Sequence, residues 1–387
     1  MTDLAYAGFF LIGIANTILG PILPTLSEKW RLNDSLAGHF FLAQFGGAIV
    51  GSALSGWLMK KLGVVQTIAA GYGGLAISVI ALSAGAWWVG LASFVALGFS
   101  LGLTNPTTNI LVAELQPENP AAALNLLNFI WGVGAISGPP LIAFVKREGS
   151  VLWVLGGLTV AMAAVAIIFM RGAARFAVAR RRPSPSRAAG FWSDWLQPYA
   201  LLAGAMAFIY VGTETAISGW IAAYAQRIGV STGSFWAVSS SLFWAGLLIG
   251  RATAPAFLRL VNDMRLVVIA LVVAVAGLSV ILNGRALTAV SAGAFLAGLG
   301  LAPVFPTTLA IFARYFGDRA ERLIGTLFVL ASLGGATLPW LVGFLSSRYG
   351  GLRIGLIVPL IGTGVMLMTQ TAIIANLANP RQPRRNS

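Results

Sequence analysis

Gly98-Phe99-Ser100-Leu101-Gly102-Leu103-Thr104-Asn105-Pro106-Thr107-Thr108 and Gly298-Leu299-Gly300-Leu301-Ala302-Pro303-Val304-Phe305-Pro306-Thr307-Thr308 are two versions of one pattern, 200 positions apart. The opening glycine, the leucine three residues on and the closing Pro-Thr-Thr coincide. Further out, Gly134 meets Gly334, Pro139 meets Pro339, Leu141 meets Leu341 and Phe144 meets Phe344. At an offset of 199, Gly13 meets Gly212, Gly20 meets Gly219, Gly47 meets Gly246 and Gly51 meets Gly250. Such residues bend a helix or admit a neighbour closely, so both copies bend and pack their helices alike. Polar residues do not repeat. Asn105 faces Phe305, Asn109 faces Leu309, Asn128 faces Phe328, Trp131 faces Ala331, and Ala15 faces Glu214. A duplicated scaffold with unequal polar content predicts two rigid halves around one asymmetric site, which is the plan of a transporter.

The medium follows from composition. Hydrophobic residues are 58% of the chain and charged residues 9%, with a mean hydropathy of +0.85. Twelve charge-poor segments long enough to cross a bilayer are predicted: 4–26, 37–59, 64–84, 87–112, 120–145, 150–170, 197–226, 235–259, 265–283, 287–313, 322–346 and 353–376. They are too long and continuous for alternating barrel strands, so the fold class is an all-α integral membrane protein. The net charge of +14 is explained by topology and does not call for nucleic acid as a partner. With a cytoplasmic N-terminus, 17 of the 25 Lys and Arg residues fall on the inner side, Arg251 among them. Both termini are then cytoplasmic, in a cell inner membrane. Met1 to Gly8 has no basic region, so the first segment reads as retained, not as a cleaved signal. There is no Cys, and the only His, His39, sits near an outer helix end.

The clearest boundary is basic and Pro/Ser-rich: Arg180-Arg181-Arg182-Pro183-Ser184-Pro185-Ser186. It cannot form a packed core. The expected organisation is a six-helix half over 1–170, a cytoplasmic linker over 171–196, and a second half over 197–387 with a short tail. Phe191, Trp192, Trp195 and Trp236 read as interfacial anchors.

Glu214 is the only acidic residue expected deep inside a segment. A charged carboxylate at the bilayer centre costs about 2.5–3.5 kcal/mol, so it faces a cavity or a partner. No Lys or Arg is expected mid-helix, so an ion pair is not anticipated. Two functional roles remain, proton coupling or acceptance of hydrogen bonds from substrate, beside a purely structural one. Tyr210, four residues earlier, shares its face. In the first half, Asn105 and Asn109 share a face, Asn128 and Trp131 continue a stripe, and Gln44, Asn16 and Thr17 add polar groups. Amides donate and accept as sugar hydroxyls do, and an indole packs on the apolar side of a pyranose. Trp244 is the mid-helix indole of the second half. Membrane helices also use such residues to bond one another, so each alone is ambiguous. Phosphate-loop and dinucleotide motifs are missing, as are metal-ligating clusters and catalytic triads, so neither an enzyme nor a cofactor is expected.

Gly56-Trp57-Leu58-Met59-Lys60-Lys61-Leu62-Gly63 resembles the loop motif of the major facilitator superfamily at Gly56, Lys61 and Gly63. It departs from that motif at Lys60, where an Asp is usual, and at Val64 and Val65, where basic residues are usual. Two stretches resemble the fucose–galactose–glucose:proton symporter group. They are Tyr210-Val211-Gly212-Thr213-Glu214 with Trp220, and Leu124-Asn125-Leu126-Leu127-Asn128-Phe129-Ile130-Trp131-Gly132-Val133-Gly134-Ala135 leading to Gly138-Pro139. The resemblance implies twelve helices in two pseudo-symmetric halves, a monomer in lipid, and a neutral hexose carried with a proton. The expected site is Gln44, Asn105, Asn109, Asn128, Trp131, Tyr210 and Trp244, with Glu214 for the proton. Unlike that group, the first half offers no second carboxylate, which leaves uniport open. An exporter of amphipathic drugs or lipids is the alternative, and it requires a large apolar cavity spanning both halves.

Overall fold

The computed structural model describes residues 1–83, 85–148, 151–172, 191–229 and 236–378, which contain helices and no strand. The stretch 180–186 and the arginines at 381, 384 and 385 lie outside the described residues. The first half comprises α1 (Thr2–Thr17), α2 (Leu19–Trp30), α3 (Asp34–Leu62), α4 (Val64–Ala81), α5 (Trp87–Leu115), α6 (Pro120–Glu148) and α7 (Val151–Gly172). After the short α8 (Phe191–Trp195), the second comprises α9 (Pro198–Ile228), α10 (Val238–Phe257), α11 (Asp263–Asn283), α12 (Leu287–Leu301), α13 (Val304–Phe316), α14 (Ala320–Tyr349), α15 (Leu352–Gly355) and α16 (Ile357–Ala378). The pairs α1/α2, α12/α13 and α15/α16 each make one span. Among the described residues, eleven spans are long and apolar enough to cross a membrane, counting α1/α2 as one, and α10 is a twelfth long helix; all end within about four residues of the expected segments. The least apolar is α10, which carries Ser239, Ser240, Ser241 and Arg251.

Local chemistry sets the breaks. α1 and α2 meet at a 46° bend. Pro21 has no N–H to give the Thr17 carbonyl, so the helix turns there. The Asn33 side chain accepts the Leu36 N–H at 2.8 Å and caps α3. Gly63, at φ 101°, passes α3 into α4 in one residue, a conformation that L side chains rarely adopt.

Repeated glycines produce repeated contacts. A Cβ on Gly98 would strike the Gln44 carbonyl, and one on Gly298 would strike that of Phe243, the counterpart of Gln44 in the other copy. Gly47 rests on Val95 as Gly246 rests on Phe295, and Gly134 rests on Phe10 as Gly334 rests on Phe208. Backbones this close depend on the missing side chain, and van der Waals contact between helices is what holds a bundle together in lipid. Outward-facing apolar residues such as Ile77, Val160 and Trp153, all at least 70% exposed, belong against acyl chains. Trp192 is exposed in keeping with an anchor, but Trp195 and Trp236 are buried. Trp195 packs on Phe312, so the anchor reading of these two is corrected: their indoles contribute to the helix packing.

The halves meet tightly at one end. Arg227 at the end of α9 makes a two-point bond to Asp34 at the start of α3, at 2.9 and 2.5 Å. The Asp34 carboxylate also accepts from the Ser346 hydroxyl of α14. Gln226 donates to Glu28, and the Ser35 N–H donates to Ser347. Beneath this seal, Gly20 of α2 and its repeat counterpart Gly219 of α9 cross with their backbones touching.

Candidate functional site

Under the seal lies a cavity of about 250 Å³ between the halves. It is roughly 20 Å along α9 from the sealed end, at 1.5 Å per residue. The first half supplies Asn16 and Thr17 from α1, Gln44 and Ser52 from α3, and Asn105 from α5. The second supplies Glu214, Thr215 and Ser218 from α9, Trp244 from α10 and Ser332 from α14. Every side-chain amide in the wall therefore comes from the first half, while the carboxylate and the indole come from the second.

Most of these groups are partly committed to the protein. Gln44 donates to the Asn16 backbone carbonyl at 3.2 Å, just before the α1/α2 bend. Thr17 donates to Gly13 at 2.9 Å, and Ser52 to Gly102 at 3.3 Å. The Asn105 amide oxygen is different: it is buried and has no protein donor. An unfilled buried acceptor costs about 1–3 kcal/mol, and a ligand hydroxyl entering the cavity is the kind of group that would fill it.

Of the residues expected from sequence, Gln44, Asn105, Trp244 and Glu214 share this wall. The others lie off it. Asn109 spends its amide on the Asn105 carbonyl one turn back, at 2.8 Å. Asn128 does likewise with Leu124 at 2.9 Å, and its side chain is exposed. Trp131 stands behind Trp244, edge to face with centroids 5.5 Å apart. Tyr210 is buried and stacks on Phe305 at 5.4 Å, which in turn meets Phe328. Where the first half carries Asn105 and Asn128, the second thus carries an aromatic cluster. The single continuous amide stripe expected in the first half is not what the helices present.

One expectation is overturned outright. Glu214 does have a cationic neighbour: Arg251 lies within α10, as the expected segment 235–259 allowed, with its guanidinium 3.9 Å from the Glu214 carboxylate. Its place in the segment does not by itself show which neighbouring helix it faces. Ser52, Thr215, Ser218 and Ser332 were also missed. Small hydroxyl residues are too common in membrane helices to signal a cavity.

Two alike six-helix halves with a polar pocket at their interface, closed at one end, define a membrane transporter. The chain belongs to the Major Facilitator Superfamily, whose sequence profile matches residues 5–339. It is 24% identical over 367 residues to the glucose/mannose transporter GlcP of Bacillus subtilis, covering 88% of this chain and 86% of that protein. It is 23% identical over 373 residues to a glucose/galactose transporter of Brucella abortus, covering 91% and 89% respectively. Among solved structures it resembles an inward-facing, unoccupied bacterial homolog of the human lysosomal transporter Spinster. There the TM-score is 0.78 at 14% identity, over 98% of both chains. The last likeness concerns the fold alone.

Proposed function

We propose that the protein carries a neutral hexose across the cytoplasmic membrane by alternating access, with Glu214 as the proton-coupling group. The observation that carries this reading is the division of the cavity wall, with amides on one side and an indole and a carboxylate on the other. Amides suit hydroxyls that both donate and accept, and Trp244 offers a face for the apolar side of a sugar ring. The curated relatives that transport glucose, mannose and galactose support the same substrate class. A pocket of about 250 Å³ with this lining is a poor match to the broad apolar cavity that an exporter of drugs or lipids requires. With both termini in the cytoplasm, the Arg227 seal faces outward.

The test is uptake into proteoliposomes with a panel of radiolabelled hexoses, with and without an imposed proton gradient. Uptake of no hexose in the panel rejects the substrate class. Equilibration without gradient-driven accumulation makes the protein a uniporter. Within that assay, Asn105→Ala is expected to weaken binding of the transported sugar by about 1–3 kcal/mol, since a hydroxyl loses its acceptor. The amide oxygen serves no protein donor, so the melting temperature should hardly move. Unchanged affinity in this variant removes Asn105 from the site.

A further inference from the structure

Trp244 is the indole of the cavity wall, and two aromatic rings meet it at steep angles. Phe243, its neighbour in sequence, lies at 78° with centroids 5.4 Å apart. Trp131 lies at 85° and 5.5 Å, and it comes from the other half of the molecule. Each ring is tied to its own half by a backbone contact. A Cβ on Gly13 of α1 would strike the Trp131 carbonyl, and one on Gly298 of α12 would strike that of Phe243. Backbones packed this closely leave neither helix free to shift at that level. Two further contacts join α6 to α10 around the pair: Gly132 packs on Leu248, and the Ser241 hydroxyl donates to the Ile136 carbonyl at 2.8 Å. The equivalent crossing, of α3 with α14, is built differently. Phe45 takes the place of Trp244 in the repeat and also lines the cavity. Its ring lies against Gly335, and Ala331 stands in the place of Trp131. Of these two crossings, only that of α6 with α10 sets a large ring behind the aromatic residue of the wall.

We propose that Trp131 is a positioning residue for sugar binding: from the opposite half, it fixes the orientation of the Trp244 indole against which the sugar ring rests. This depends on the reading of the cavity as a hexose site. Trp131 lies off the cavity wall, so its effect on substrate passes through Trp244. A wall indole held on one side only keeps rotamer freedom, and ordering such a side chain during binding costs affinity. With Phe243 and Trp131 both in contact, that ordering is complete before sugar arrives. Steep ring angles also suit the aromatic quadrupole, whose positive edge seeks a negative face. Phe243 moves with Trp244, because the two are adjacent on α10. Trp131 does not, so its support lasts only while α6 and α10 cross as they do here. Sugar affinity is thereby linked to the relation of the halves through a side chain that sugar never touches.

The experiment measures the half-saturating concentration of D-glucose for exchange in proteoliposomes. It compares the unaltered protein with Trp131→Leu, Trp131→Phe, Trp244→Ala and the double variant Trp131→Leu/Trp244→Ala, and records the melting temperature of each. Leucine keeps apolar bulk between the helices but has no ring, so the fold is spared while the aromatic contact is lost. Trp131→Leu is expected to raise the half-saturating concentration about three- to tenfold, with the maximal exchange rate preserved. Trp131→Phe, which keeps an aromatic edge, should recover most of the affinity. In the double variant, Trp131→Leu should add nothing to the loss caused by Trp244→Ala, because its effect passes through that indole. Additive losses in the double variant overturn the proposal, and so does unchanged half-saturation in Trp131→Leu. A Trp131→Phe protein as impaired as Trp131→Leu, with both melting temperatures lowered alike, marks a mere brace between helices and overturns it too. Unchanged half-saturation in Trp244→Ala, or no uptake of D-glucose by the unaltered protein, overturns the reading of the cavity itself and the proposal with it. Those two results are read without any change at Trp131.

Discussion

Glu214→Gln is expected to abolish accumulation of sugar under a proton gradient while sugar-for-sugar exchange survives. Glutamine keeps the size of the side chain and much of its hydrogen bonding, but it has no proton to release. Exchange never requires the empty carrier to return deprotonated, whereas net uptake against a gradient does. The variant therefore separates the two roles open to a carboxylate in the cavity wall. If Glu214 is chiefly a sugar ligand, exchange and accumulation fall together and affinity drops with them. A variant that concentrates sugar as well as the unaltered protein leaves Glu214 a structural residue. The change also leaves Arg251 without its counter-charge, so some loss of thermal stability accompanies the functional effect.

The second large effect is expected from Gly98→Leu. Any side chain on Gly98 meets the backbone of Gln44. Overpacking a core costs about 1–3 kcal/mol where side chains can yield, and a helix backbone yields less readily than a side chain. The cost here should reach about 3 kcal/mol or more, in the range that marks a severe defect. Thermal melting followed by size-exclusion chromatography should show little monodisperse protein. Gly156 has nothing within 4 Å of an added Cβ, so Gly156→Ala should be neutral or stabilising by up to about 1 kcal/mol through helix propensity. Equal melting temperatures for the two variants would show that the close approach of α3 and α5 does not carry the load. The contact also reaches the site, because the backbone of Gln44 rests on Gly98 while its side chain lines the cavity.

The architecture was legible because it is written in glycines and prolines, whose backbone consequences are nearly independent of context. Gly47 and Gly246 had matching partners to find, and they found them. The lining of the cavity was legible where a residue had little else to do. Glu214 is costly anywhere but at a cavity or beside a partner, and it has both. Asn109 and Asn128 show the limit. An asparagine within a helix can satisfy its amide on the carbonyl one turn back, as both do, and nothing in the sequence separates that use from a ligand contact. Arg251 failed for a different reason. A cation six residues from the end of α10 has the sequence appearance of one that marks the cytoplasmic side, and only the neighbouring helix shows what it faces. Trp195 and Trp236 were read as anchors by their position near segment ends, whereas tertiary packing turned both indoles inward.

The Asp34–Arg227 clasp is lopsided: the arginine side chain is 49% exposed and the aspartate 12%. One partner is wetted, so the attraction is open to screening by dissolved ions, whose reach at physiological ionic strength is about 8 Å. The Glu214–Arg251 pair lies deeper and is shielded less effectively by salt. In the proposed alternating-access cycle, ionic strength on the clasp side is expected to bias which face is open at rest. Concentrated salt on that side is expected to loosen the seal and raise the share of molecules open to it, and dilute medium to hold them shut.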